Sequence, residues 1–438
     1  MIGSSQTRAG DHRPAIVAFL AILVTAVLVV QAAPPADIVS LAVPGRSNST
    51  PSVAAAGSFV ALAWGATRAG KSDVYLAVSN NSGQSFGEPV RVNTVAGEAL
   101  LGGELPPRVA LFSTGKPAAP EIAVVWTTRS ETATELKLSR SHDGGRTFDR
   151  AAPLQSPGSA GDRGWPALAI DDQGGAHAIW LDHRGLATAR TSGAAHAGHR
   201  AGTAMDGAAM AQRSSLFYAA AGLAPSGERE LTKGVCYCCK TALAAGPRGL
   251  LVAAWRHVYP GNLRDIAFAV SRDRGRTFSP PVRVSEDGWA INACPDDGPA
   301  IGVDGRGTVH LAWRTVTGGA DPQGALFYAS TSDGRTFTPR VRIPTLGAFN
   351  PTHPQLVVDG RGRIVVAWDE VVEGRRVAAA RQLIVKSNQH VDFAPIVTLS
   401  SDGPATYPAL ATTERGLLAV WPTGGETSVI RARTIGVP

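Results

Sequence analysis

The stretch PAIGVDGRGTVHLAW, Pro299 to Trp313, returns in outline as PQLVVDGRGRIVVAW, Pro354 to Trp368. Each opens on proline, runs through a short apolar strand, turns on Asp-Gly-Arg-Gly and comes back through a second apolar strand to tryptophan. Proline costs little at a first strand position, where no ladder hydrogen bond has yet been made. Glycine supplies the positive φ that a tight hairpin needs. The phrase is written seven times, ending at Trp64, Trp126, Trp180, Trp255, Trp313, Trp368 and Trp421. Its first strand, A, begins near Pro51, Pro107, Pro166, Thr241, Pro299, Pro354 and Pro408, and only the second copy carries a longer A to B turn, Phe112 to Pro120.

A third strand, C, follows the tryptophan strand, B, as at Val74 to Val78, Glu135 to Ser139, Leu216 to Ala220, Ile266 to Val270 and Leu326 to Ala329. Alternation within the strands is weak, as expected of sheets covered on both faces. After C comes a turn that reads Ser-x-Asp-x-Gly-x-Thr-Phe at Ser141 to Phe148 and again at Ser271 to Phe278. Degenerate copies stand at Ser79 to Phe86 and Ser330 to Phe337, and copies three and six have lost the pattern. In these turns Asp143 and Asp273 are expected to accept N–H bonds from their own loops while the phenylalanine plugs the space between strands.

A repeat of about fifty residues built from four strands means an all-β chain folded as a β-propeller. Seven four-stranded blades are expected, with a six-bladed ring the alternative. The last copy, Tyr407 to Arg433, holds only three strands, while Asp37 to Val43 form an apolar strand with no blade of its own. The N-terminal strand is therefore expected to close the last blade, which removes two aggregation-prone edges. An array of repeats has no internal boundary, so residues 37–436 read as one propeller. Copy three is interrupted by an Ala/Gly-rich insertion at 185–213, which carries His196, His199, Met205 and Met210.

Ahead of the repeats, Ala15 to Val30 are sixteen residues without a charge, preceded by Arg8 and Arg13 and followed by Gln31-Ala32-Ala33-Pro34. This pattern reads as a signal peptide, residues 1–33, cleaved to leave a periplasmic or secreted protein with no stable membrane span. The formal charge of +7 is spread without basic runs or interleaved aromatics, which does not suggest a nucleic-acid partner. Oligomeric state is not legible.

The complete Ser-x-Asp-x-Gly-x-Thr-Phe turns, in register with the strands, resemble the Asp-boxes of the bacterial sialidase (neuraminidase) superfamily, the BNR-repeat propellers, over nearly all of Asp37 to Ile435. The resemblance implies Asp-boxes on the outer C to D turns, away from an active face with an arginine cluster, an acid/base Asp and a Tyr–Glu nucleophile pair. Where the family opens its first inner strand on Arg-Ile-Pro, this chain reads Ser49-Thr50-Pro51, so that arginine is missing. Tyr407, just before Pro408, matches the placement of the nucleophile, and Glu104 and Arg163 could stand in for other members of the set.

In a propeller the loops leading into strand A and trailing strand B open on one face. Read from the repeat, that mouth receives Glu104, Arg163, Trp165, Asp296, Asp297, His353 and Tyr407 from the leading loops. The trailing loops add Asp182, His183, Arg184, Arg256, His257, Arg314, Asp369 and Glu370. Arg163, Trp165, Arg256, Arg314, Asp297 and Glu370 are the candidate ligand-binding residues, and Tyr407 and Glu104 the candidate catalytic pair. All four cysteines fall in the same ring: Cys236, Cys238 and Cys239 before blade four and Cys294 before blade five. Outside the cytoplasm they could be disulfide staples. With His183, His257 and His353 on the same face they could instead hold copper or zinc.

The expected function is thus an exported, sialidase-like propeller that binds a ligand, glycan or metal, at its mouth without the full sialidase catalytic set. An exo-sialidase or related glycoside hydrolase, and a copper- or zinc-binding protein, are the alternatives.

Overall fold

A computed structural model describes residues 1–3, 38–112, 119–130, 133–156, 161–187, 207–220, 227–318, 323–347, 349–400 and 403–436. The expected signal segment, apart from residues 1–3, and His196, His199 and Met205 of the insertion lie outside the described residues. Seven antiparallel sheets form the blades, all within Pro34–Pro438. Blade one is typical: Ser47–Ala56, Phe59–Arg68, Lys71–Ser79 and Val90–Arg91 pair in that order from the channel outward. Inner strands of successive blades touch one another around a closed ring.

Blade seven closes as the sequence led one to expect. Ile38–Leu41 pairs antiparallel with Ile430–Ile435, Ile38 opposite Arg433 and Leu41 opposite Ile430. Blade six departs from the others: its C strand, Arg375–Val385, pairs with both Val391–Phe393 and Val397–Thr398, so a hairpin occupies the place of the lost Asp-box.

All seven phrase tryptophans are buried, and each seals the gap to a neighbouring blade. Trp313 of blade five, for example, shares a cluster with Val252 and Phe268 of blade four. Replacing such a residue with Ala costs about 3–5 kcal/mol.

The Asp-boxes sit on the outer turns. In one, Asp143 accepts from Ser141 Oγ at 2.8 Å, Thr147 N at 3.0 Å and Thr147 Oγ1 at 2.6 Å. Phe278 of the other packs edge-on against Tyr218 of blade three at 5.1 Å, so the plug lies between blades. Gly275 beside it takes φ +76°, and a Cβ there would lie 1.9 Å from the Tyr218 hydroxyl, so both conformation and space demand glycine.

The insertion in blade three enters by a turn of helix at Arg184–Ala187 and returns by a second short helix, Gly207–Gln212. Ala211 of the second helix is buried against Cys236, Cys238 and Cys239. Among the described residues no helix is long and apolar enough to cross a membrane.

Candidate functional site at the channel mouth

Four blades lead into strand A in the same unusual way. Thr50, Trp165, His353 and Tyr407, each directly before a proline, take φ of +53°, +52°, +55° and +45°. For β-branched and aromatic residues this left-handed region is costly, and a following proline restricts the backbone further. In blades one, three and six the pairing register also slips at this point, the mark of a β-bulge, which re-aims side chains. Strain of this kind concentrates at functional sites.

Two of the four residues meet. The rings of His353 and Tyr407 stack with centroids 3.8 Å apart. Buried Asp369, from strand B of blade six, accepts from His353 Nδ1 at 2.7 Å and from the Tyr407 backbone N–H at 2.8 Å. Arg376 binds its other oxygen and also reaches Thr352 Oγ1 at 2.6 Å. The Tyr407 ring lies over Gly103, where a Cβ would fall 2.1 Å from the hydroxyl. Burial, then the carboxylates of Glu104, Asp296 and Asp369, push the Tyr407 pKa far up, so the phenol stays protonated.

Glu104 is buried beside this stack, but its carboxylate is engaged elsewhere. It receives Lys240 Nζ at 3.3 Å and Gly298 N at 3.1 Å, while Lys240 also donates to Pro354 O at 3.0 Å. Asp297, also buried, accepts the His353 backbone N–H at 3.2 Å through Oδ2; Oδ1 has no hydrogen-bond partner. Its pKa is raised by burial and then by Glu104. Asp296 stands on the rim. Reduced hydration by the surrounding loops, then the charge of Glu104, push its pKa up to about 6, within reach of proton transfer near neutrality.

Arg314 is largely buried. It donates to Asn350 Oδ1 at 2.5 Å and approaches Asp297 Oδ2 at 3.9 Å. Its guanidinium lies 5.2 Å from the centroid of Trp289, and that of Arg256 lies 5.1 Å from the same ring.

Several expected ligand residues are turned to structural work. Arg256 spends its donors on the carbonyls of Asp297, Arg264 and Arg314 at 2.9, 2.6 and 2.7 Å. Arg163 is fully buried against Asp182, at 3.1 Å, and the Gly161 carbonyl, at 2.8 Å. Trp165 packs beside His183 at 5.9 Å and borders the cysteine cluster.

Asp182, His257 and Glu370 share a simpler fate. On a strand the residue two places on shares a face, and these three accept the indole N–H of Trp180, Trp255 and Trp368 at 3.2, 3.4 and 2.9 Å. Glu370 also holds Leu346 N at 2.6 Å. Burial lowers the His257 pKa to about 4.

The cysteines divide into two kinds. Cys238 and Cys294 are bonded, whereas Cys236 and Cys239 are free and buried. The Cys239 thiol donates to Cys236 Sγ at 3.4 Å, and Cys236 Sγ lies 3.9 Å from Cys238 Sγ. Arg264 Nη1 donates to Cys236 Sγ at 3.3 Å. The hydrogen bond from Cys239 outweighs burial and, with Arg264, holds the Cys236 pKa below the usual thiol range, while burial first pushes Cys239 up.

Among the described residues, Cys236, Cys238 and Cys239 form the one group whose ligand atoms lie within 4.8 Å of one another. The histidines expected beside them are occupied differently, His353 by Asp369 and His257 by Trp255. As a metal set, then, the sulfurs come together without these two imidazoles.

Sequence reasoning missed Arg376 and Trp289. Trp289 had a signal: of nine tryptophans, only it and Trp165 stand outside the seven-fold phrase. Arg376 lies on a C strand, where the repeat gave no reason to look.

Beside the stack, a cavity of about 110 Å³ is lined by Glu104, Arg108, Lys240, Gln355 and Tyr407. A second, about 130 Å³, continues past Arg108, Lys240 and Leu356. A further cavity, about 450 Å³, lies on the opposite face between A to B turns of blades one, six and seven, lined by Asp359, Arg361 and Glu414 among others.

No family model matches the chain, and no curated protein matches it. Solved structures do. A polysaccharide lyase described as an ulvan lyase of a new family aligns with TM-score 0.53 and 10% identity, covering 88% of this chain and 93% of that one. The same kind of lyase bound to a GlcA(1-4)Rha3S repeat aligns with TM-score 0.53 and 10% identity over 89% and 95%. The Hadza microbial sialidase Hz136 aligns with TM-score 0.47 and 16% identity over 87% and 74%. At such identities the likeness is one of fold.

Proposed function

We propose that the mouth of this propeller binds a saccharide against the stacked Tyr407–His353 pair, with Asp296 and Arg314 as its polar groups. The observation that carries the reading is the stack itself. Two aromatic residues sit at costly backbone angles and converge on one buried carboxylate. Blades two, four and five lead into strand A without a left-handed residue directly before it, so the blade architecture does not require it. An aromatic side chain offers amphipathic contact area to the C–H groups of a sugar, and fixed carboxylate and guanidinium groups suit its hydroxyls.

Binding is the leading activity. The phenol of Tyr407 stays protonated, and Glu104, the partner that would activate it, is committed to Lys240 and Gly298 N. With residues 15–30 read as an export signal, the ligand is met outside the cytoplasm.

Asp296 favours a second reading, glycoside hydrolysis, because a carboxyl with a pKa near 6 can donate a proton to a leaving oxygen. A glycan array carrying sialylated, arabinan and uronate-containing oligosaccharides, followed by calorimetry on the best ligand, tests the first reading. Binding lost in both Arg314→Ala and Asp296→Asn supports it; no retention of any saccharide by the folded wild type sinks it. Turnover of an aryl glycoside that disappears in Asp296→Asn would move the assignment to hydrolysis.

A further inference from the structure

Cys236-Tyr237-Cys238-Cys239 places two reduced sulfurs beside an existing disulfide, and the mouth chemistry uses none of the four cysteines. Cys236 Sγ is 3.9 Å from Cys238 Sγ, which is bonded to Cys294, and 3.4 Å from Cys239 Sγ. A thiolate here is well supplied with donors: Arg264 Nη1 and the Cys238 backbone N–H point at Cys236, and the Asp297 backbone N–H points at Cys239. Cys236 and Cys239 are closed off from solvent under Ala211 and Val258, so the disulfide partner within their reach is the neighbouring one. Thiol–disulfide exchange needs a sulfur whose thiolate is stabilised by nearby donors and an adjacent disulfide, and the geometry supplies a donor at 3.3 Å and a disulfide sulfur at 3.9 Å.

We propose that Cys236 is the attacking thiol of an intramolecular disulfide exchange that moves the bridge from Cys238–Cys294 to Cys236–Cys239. In the first step the Cys236 thiolate forms a bond to Cys238 Sγ and the Cys238–Cys294 bond breaks. Cys294 leaves as the thiolate and takes up, through solvent, the proton Cys236 has given up. In the second step the Cys239 thiolate attacks Cys236 Sγ, and Cys238 leaves and is protonated in the same way. One disulfide and two thiols are present at the start and at the end, so neither step consumes an oxidant or a reductant.

The exchange has a mechanical consequence. Cys294 belongs to the loop that carries Asp296 and Asp297, and its bond to Cys238 ties that loop to the segment leading into blade four. Moving the bridge cuts that tie and takes Cys239 out of its thiol form beside the Asp297 N–H. The bridge position thereby sets how firmly the two acids are held, whatever ligand the mouth accepts.

The test is a time course of the folded wild-type protein at pH 8. At each time point exchange is quenched with acid and the protein is unfolded at low pH in the presence of N-ethylmaleimide, so that buried thiols are trapped without scrambling, and the disulfide peptides are then mapped by mass spectrometry. The expected result is a constant count of two free thiols whose identity changes: alkylated Cys294 appears together with Cys236–Cys238 and then Cys236–Cys239 peptides. Cys239→Ser should stop the process at Cys236–Cys238, and Cys236→Ser should leave Cys238–Cys294 alone at all times. The inference is overturned if the wild type keeps only Cys238–Cys294 throughout. It is equally overturned if Cys236 and Cys239 prove to be protected by a stoichiometric metal until a chelator is added. Because the wild type decides the matter, misfolding of a variant would not obscure the answer.

Discussion

His353 and Tyr407, from the leading loops of blades six and seven, stack 3.8 Å apart above a single carboxylate, that of Asp369. Each takes a left-handed backbone angle directly before a proline. If the ring rather than the hydroxyl is what a ligand uses, Tyr407→Phe keeps saccharide affinity within a few-fold, and Tyr407→Ala lowers it by at least about tenfold, the loss of one aromatic contact. Calorimetry on both variants checks this; equal loss in the two would shift the role to the hydroxyl.

Thr50 pays the same backbone strain with no ring to show for it. It is β-branched at φ +53°, and its buried hydroxyl has no hydrogen-bond partner. Thr50→Gly removes both penalties and is expected to stabilise the protein by about 1 kcal/mol, read as a raised denaturant midpoint. A lowered midpoint would mean the turn is not strained.

Burial disfavours the charge on His353, but Asp369 outweighs it and lifts the pKa above 6.5. A raised folded pKa gives stability that is complete below the unfolded value of 6.5 and is lost as pH climbs through the folded value. Stability should therefore fall on the alkaline side of that value. Asp369→Asn should remove this slope and cost about 3 kcal/mol, because it leaves Arg376 and His353 without their buried partner. Chemical denaturation between pH 5.5 and about 9, with an NMR titration of His353, measures both.

Acid should act on the outer turns. Hydrogen bonds from Thr147 hold Asp143 well below the usual carboxylate range, and those from Thr277, working against desolvation, hold Asp273 at about 2. With depressed folded values, their contribution is present above the unfolded pKa of about 3.9 and is lost as pH falls toward about 2. The double variant Asp143→Asn/Asp273→Asn should unfold less steeply with acid across that window. An unchanged acid transition would show that these turns do not report on global stability.

Glu370 separates a staple from a ligand residue. Glu370→Gln keeps the acceptor for Trp368 and Leu346 and should leave both stability and saccharide binding nearly unchanged, while Glu370→Ala should cost about 2 kcal/mol by orphaning two buried donors. A specific loss of binding in Glu370→Gln would return this residue to the mouth.

The ring, its seven blades and its closing strand were legible because each follows from a repeated period and a count of strands. The mouth was legible only as a list. Repeat alignment places Arg163, Arg256 and Arg314 all at the mouth, but it does not say that the first two turn inward to carbonyls and a carboxylate while the third reaches Asn350. For Asp182, His257 and Glu370 the information was present. Two-residue alternation puts each on the face of its tryptophan, where an indole N–H needs an acceptor. The bridge between Cys238 and Cys294 was one of several choices, since four cysteines allow three pairings and spacing does not rank them. The extra hairpin of blade six replaced an Asp-box with strands too short to register as a repeat.

The pairing of Ile38–Leu41 with Ile430–Ile435 also imposes an order in time. A chain made from its N-terminus presents the first of these strands long before the second exists, and through that interval Ile38–Leu41 has no strand to pair with. Six blades can stack as they are delivered, but the seventh must wait, so the circle shuts as the closing act of folding. Any factor that shields nascent strand edges has most to do during that wait, and a nick near either end of the finished ring would reopen the same blade.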